Sequence, residues 1–170
     1  MIEFKNLQET LEELGKAIRL RYQENLIESD RKASYNLIES VKYHTVINGY
    51  ELSIDLEMAD YWKYVEDDTK PHWPPINKIL EWVKIKPVLP TPIENGKLPT
   101  EKQLAFLISR AIAGESPNQA MLKNPNGGTT GSHDLEHTLE EIDDEWEAKI
   151  IDALDADVMG NIDEILNFFK

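Results

Sequence analysis

Apolar residues change their period between Tyr35 and Met58, and this change limits the fold more than any other feature. Tyr35, Leu37, Val41, Tyr43, Thr45 and Ile47 fall on odd positions, with Glu39 as the exception. Leu52, Ile54, Leu56 and Met58 fall on even positions beyond Asn48-Gly49. Side chains alternate between the faces of a strand, so each run predicts a strand with one apolar face. Asn-Gly supplies the two positive φ angles of a type I′ turn, whose twist suits paired strands. The expectation is a long antiparallel hairpin, 33–47 with 50–56. An isolated two-stranded ribbon is marginal in water, so a helix or another sheet must cover its apolar face.

Helical periods flank the hairpin. Leu7, Leu11, Leu14, Ile18, Tyr22 and Leu26 recur at three and four, predicting one amphipathic helix over 6–28. The aromatic stretch 59–66 predicts a short helix or tight corner. Pro74-Pro75 opens a further helix, with Ile76, Ile79, Leu80 and Val83 as its buried stripe and Trp82 at the edge. The prolines between Lys86 and Pro92 predict extended chain. Thr100 followed by Gln103 reads as a capping box, and the stripe Leu104, Leu107, Ile108, Ala111, Ile112 runs to a stop at Gly114. Residues 115–132, rich in Asn, Gly, Pro and Thr, read as a flexible linker or exposed loop. Leu135, Leu139, Ile142, Trp146, Ile150 and Leu154 then resume helical spacing, which continues through Ile162 and Phe169 with an expected break near Gly160.

The fold class expected is α+β: a long antiparallel hairpin packed against N-terminal and C-terminal helices, with an extended acidic C-terminal helical arm. The domain plan expected is a helix–hairpin–helix domain over 1–114, a linker over 115–132 and an acidic arm over 133–170. Charge supports that plan. The chain of 170 residues carries a net charge of −14. Residues 133–170 hold 13 Asp and Glu against 2 Lys, a net of −11, and the rest holds 19 acids against 16 bases, a net of −3. An arm of that sign repels phosphate, which disfavours tight nucleic-acid binding through it. There is no cysteine, so neither a disulfide nor a thiolate metal site is available. No run of about 18 apolar residues and no signal-peptide core occurs, so no membrane partner is expected.

Catalytic motifs are few. His133-Asp134-Leu135-Glu136-His137 matches the H-x-x-E-H pattern of zinc hydrolases, which needs both histidines on one helical face. It follows the glycine-rich stretch and has no third marked ligand, so an accidental match in a Glu-rich helix start is the preferred reading. His44 reads as a surface or edge residue of a strand, and His72 as locally packed. Asp143, Asp144, Glu145 and Glu147 lack calcium-loop spacing. No G-x-S-x-G, P-loop or G-x-G-x-x-G occurs. No catalytic, cofactor-binding or metal-binding residue is therefore assigned, and no cofactor is expected. The aromatics Tyr61, Trp62, Tyr64, Trp73 and Trp82 read instead as core or interface residues.

Taken whole, 59–86 resembles the signature of the phage tail-completion, or head–tail connector, family. Asp60, Tyr61, Tyr64 and Val65 match its D-Y-x-x-Y-V segment. Pro74, Pro75 and Ile76 match its P-P-I, and Trp82, Val83 and Lys86 match the helix ending W-[IV]-x-x-K. Leu104 to Ile112 resembles the family's L-A-F-x-I-[AS]-[RK]-x-I helix. The likeness covers about 6–114. Residues 87–99 resemble an insert in versions from phages of Bacteroidales, including crAss-like ones. Asp67-Asp68-Thr69-Lys70 departs from the family's basic, Gly-rich loop.

The resemblance implies a structural virion protein of the neck, made in the host cytoplasm. It would form a homo-oligomeric ring, six- or twelve-fold, that joins portal and neck proteins to the tail. Packaged DNA would pass nearby without specific binding. Members are usually monomeric or weakly associated before assembly, and the family carries no catalytic residues to transfer. The candidate interface is Tyr61, Trp62, Tyr64, Trp73, Pro74, Pro75 and Trp82. Two other classes stand as alternatives: a zinc-dependent hydrolase built on the H-x-x-E-H segment, and an acidic adaptor that binds a basic protein.

Overall fold

The computed structural model describes residues 4–29, 35–48, 51–86, 88, 90, 96–118, 122 and 124–168. Among them, in chain order, are α1 (Lys5–Glu28), α2 (Asn36–Ser40), β1 (Lys42–Asn48), β2 (Glu51–Glu57), α3 (Trp62–Glu66), α4 (Ile76–Ile85), α5 (Glu101–Ile112) and α6 (Asp134–Phe168). The class is α+β, with one two-stranded antiparallel sheet. The chain forms two compact units that cut across the linear order expected from its composition. One comprises 1–29, 37–59 and 134–170, and the other 30–36 and 60–133.

The first unit is centred on α1. Leu7, Leu11, Ile18, Tyr22 and Leu26 of its stripe are buried, Tyr22 and Leu26 completely. The hairpin lies on α1 with Tyr43 opposite Leu56 and Thr45 opposite Ile54, so the apolar positions of both strands share a face, as the alternation requires. Gly15 permits the close approach. A Cβ there would meet Tyr43 Cδ2 at 2.4 Å. The strand pairing also corrects the turn. Asn48 pairs with Glu51 as a strand residue, and 49 and 50 lie outside the described residues.

The first strand is shorter than expected, because 36–40 forms α2. Leu37 and Ile38 are adjacent yet both buried, which a helical turn allows and a half-buried strand does not. Ser40 holds the corner: its Oγ donates to the Leu37 carbonyl at 2.8 Å and accepts from the Ala59 N–H at 2.9 Å. Residues 33 and 34 lie outside the described set.

α6 packs antiparallel on α1 along a polar ladder. Ser29 Oγ donates to Asp134 Oδ2 at 2.7 Å, and Asn25 Nδ2 to Thr138 Oγ1 at 3.0 Å. Arg21 makes a forked pair with Glu141, at 2.6 and 3.0 Å. Hydrogen bonding between the two is the main cause that raises the guanidinium and lowers the carboxyl from their ordinary pKa values. At the far end Asp157, 5% exposed, caps α1. Its carboxylate accepts from Asn6 N at 3.0 Å, Asn6 Nδ2 at 2.8 Å and Leu7 N at 2.8 Å. The residue that opens α1, Phe4, offers no side-chain cap, so a carboxylate from another helix satisfies these free donors. α6 then runs on to Phe168 without a break at Gly160.

The second unit holds α3, α4 and α5. Thr100 and Gln103 form the expected capping box, and Gly114, at φ 79°, follows the end of α5. The described part of 115–132 is not a free linker. Thr69 N donates to the Thr129 carbonyl at 2.9 Å, Ser132 N to Val65 O at 2.8 Å, and Gly128 N to Ile112 O at 2.7 Å. Gly128 sits at φ 80°, with space for no Cβ: one would lie 2.0 Å from Thr69 O. The glycines thus serve close backbone contact rather than slack. Most of the proline-rich 87–95 lies outside the described residues.

Candidate interaction surfaces

Every candidate interface residue belongs to the second unit. Tyr61 precedes α3 and Trp62 opens it, while Tyr64 stands on its outer side, 70% exposed. Trp73, Pro74 and Pro75 form the extended entry to α4, and Trp82 lies on α4 itself. Tyr61, Trp73, Pro75 and Trp82 are exposed, while Trp62 and Pro74 are half-buried. The expected roles therefore separate. Trp62 is in part a packing residue, with the Lys63 ammonium 5.6 Å from its ring.

The structure brings Trp73 onto α5. Its ring centroid is 6.1 Å from that of Phe106, tilted by 37°, and its Nε1 donates to Glu115 Oε1 at 3.1 Å. Phe106 is itself 44% exposed. The two rings form an aromatic pair at the surface, which isolated core packing does not require. On α4 the expected stripe holds in part. Val83 is buried and Ile79 and Leu80 are half-buried, but Ile76 is exposed. A second face of α4 carries Lys78, Trp82 and Ile85 at i, i+4 and i+7, with Trp82 and Ile85 both exposed.

The H-x-x-E-H segment is not one helical face. α6 begins at Asp134, and His133 precedes it with φ 56°, its N–H donating to Glu66 O at 3.2 Å. The i, i+4 relation that would aim both histidines at one ion is absent. His137 lies 3.7 Å from Glu140 on the exposed side of α6. Among the described residues no group of three or more His, Cys, Asp and Glu side chains is placed to hold a metal ion. His44 is exposed on β1, 3.4 Å from Glu57, and His72 Nδ1 is 2.8 Å from the Lys70 carbonyl.

A further surface lies in the first unit, an open groove of about 680 Å³ lined by α1 and α6. Leu14 and Ile18 line it from α1, and Leu139, Ile142, Trp146 and Ile150 from α6. The α6 stripe was visible in the sequence. That it lines a groove rather than a closed core depends on α1, more than a hundred residues away.

Comparison with known proteins finds no matching family model, no matching curated protein and no matching solved structure. No described helix is long and apolar enough to cross a membrane.

Proposed function

We propose that this chain is a structural subunit of a phage head–tail junction. Copies associate into a ring between the portal or neck and the tail, with packaged DNA passing nearby. One observation carries the proposal: Tyr61, Tyr64, Trp73 and Trp82, drawn from one short stretch, all stand exposed. Large aromatics are the residues that dominate binding energy at interfaces. Their exposure together in a monomer marks a contact surface more readily than a catalytic one. The resemblance of 59–86 to connector proteins supports the same assignment. Heterologous contacts between copies close into a ring when the rotation between them allows it.

Electron microscopy of the purified chain over a concentration series tests this. Rings, or oligomers of defined mass in light scattering, are the expected result. Trp73→Ala should lose them while keeping the wild-type circular dichroism spectrum. A chain that stays monomeric to millimolar concentration overturns the assembly reading. In particles that contain the chain, gold label on a terminal tag belongs at the head–tail junction, and label elsewhere overturns the location.

A further inference from the structure

α6 presents two parallel rows to the groove that it lines with α1. Leu139, Ile142, Trp146 and Ile150 form an apolar row at i, i+3, i+7 and i+11. Glu136, Glu140, Asp143 and Glu147 form an acidic row beside it at i, i+4, i+7 and i+11. The apolar row is open: Leu139 is 48% exposed, and Ile142, Trp146 and Ile150 are half-buried. No basic residue lines the groove among the described residues. Asp143 and Glu147 have no ion-pair partner among those residues, and Glu140 has His137 at 3.7 Å. Lys149 lies 4.1 Å from the Trp146 ring, but its ammonium is taken by Glu145 at 2.6 Å. The first unit as a whole carries 23 acids against 7 bases, a net of −16.

We propose that this groove receives an amphipathic helix of a different protein, with apolar side chains entering the groove and lysine or arginine along the edge that meets Glu140, Asp143 and Glu147. Both walls are helices, whose backbone groups bond within their own helix. An extended chain laid between them would find no backbone partner for its N–H and C=O groups, whereas a helix satisfies its own. Helix-in-groove recognition then needs anchors at i, i+4 and i+7, and the wall from Leu139 to Ile150, about 17 Å long, takes about three turns. The acidic row fixes the sign of the partner. The chain's own helices supply that sign poorly. A second α6 brings acid against acid. On α4, Lys78 is paired with Glu81 at 3.1 Å. On α5, Phe106 is engaged by Trp73, and Arg110 donates to the Glu115 carbonyl at 2.7 Å. The inference goes beyond the assembly reading, which uses the other unit, and does not depend on it.

Peptide binding to the full-length chain tests it. The probes are three synthetic peptides of about 14 residues, four helical turns. One is built of Leu and Lys with leucines at helical spacing, one is the same composition scrambled, and one replaces Lys by Glu. Fluorescence anisotropy at physiological salt should show the first peptide bound at least tenfold more tightly than either other. Glu140→Lys with Asp143→Lys should weaken that binding at least tenfold. Glu9→Lys with Glu13→Lys, the same charge change at exposed positions of α1 outside the groove, should weaken it less than threefold. Leu139→Gln, which leaves the charge alone, should weaken it at least fivefold. All these positions are exposed, so each variant should keep the wild-type melting curve. The comparison of the three peptides on the wild-type chain stands whatever the variants do. Equal binding of the ordered and scrambled peptides, or equal loss in both charge variants, reduces the effect to bulk charge and overturns the groove. A chain that binds none of the peptides overturns it as well. Self-association of the chain alone that Leu139→Gln weakens puts a second copy in the groove and overturns the foreign partner. Trp73→Ala should bind the Leu/Lys peptide as wild type does, so failure of the groove and failure of the assembly reading are read separately.

Discussion

Asp157 is the residue whose loss should cost the first unit most for its size. It is buried on α6 and accepts three N–H groups from the first turn of α1. Removing an N-cap side chain costs about 1–2 kcal/mol. Asp157→Ala also leaves the buried Leu7 N–H without its acceptor, worth about 1–3 kcal/mol. Water reaches the partly buried Asn6 donors, so the two contributions do not add in full, and the expected loss is about 3 kcal/mol. At roughly 2–4 °C per kcal/mol for a chain of this size, the melting temperature of that unit falls by about 6–12 °C. Asp157→Asn keeps one acceptor but turns an amide NH₂ toward a backbone donor, and should lose about half as much.

pH supplies an independent check on the same carboxylate. Burial pushes the Asp157 carboxyl up, but the N–H groups of Leu7 and Asn6 outweigh burial and hold its pKa below the usual value. A carboxyl depressed on folding stabilises the fold fully above its unfolded pKa of about 3.9, and loses that contribution as pH falls through the folded value. The stability gap between wild type and Asp157→Ala, read by urea denaturation at 222 nm, should be widest near neutral pH and shrink below about pH 4. A gap under about 0.5 kcal/mol at neutral pH, or one unchanged at pH 3, would refute the reasoning.

Gly15→Ala should destabilise by roughly 1–2 kcal/mol in thermal melts, because the clash with the Tyr43 ring outweighs the gain in helix propensity of about 0.5–1 kcal/mol. Thr138→Val should cost about 1–3 kcal/mol in urea titrations by stranding the buried Asn25 amide, and a neutral result would remove the polar ladder as a source of register. Thr100→Ala should cost about 1 kcal/mol through loss of the α5 capping box, with the deficit confined to the second unit in hydrogen exchange. Gly128→Ala should cost more than Thr100→Ala, since strain at φ 80° adds to the contact with Thr69 O; equal melting temperatures would contradict the tight approach.

Features set by neighbours in the chain were legible in the sequence. The stripe of α1, the pairing of odd with even positions in the hairpin, the short α3 and the Thr100–Gln103 box each depend on residues a few positions apart. What escaped depends on partners far along the chain. Nothing near Phe4 announces that Asp157 will cap α1. The glycines at 127, 128 and 131 have the composition of a linker, yet the contacts that require them lie at Gly114, Thr69 and Glu66 respectively. The start of β1 was misplaced for a local reason: Leu37 fits the period of the strand, and only the adjacent burial of Ile38 reveals a helical turn. The candidate surface was legible as a cluster of aromatics, but its division into exposed Trp73 and half-buried Trp62 was not.

The ladder between α1 and α6 also dictates an order of events on the ribosome. Ser29 and Asp134, bonded in the finished unit, are 105 residues apart. At about 5–20 residues per second, α1 waits roughly 5–20 s for the helix that covers its stripe. In that interval the intervening segment 60–133 can already close on itself. The antiparallel order then leaves Leu7 exposed longest, because its partner Asp157 is made after the residues that meet Asn25 and Ser29, and a chaperone that meets this protein during synthesis would meet it there.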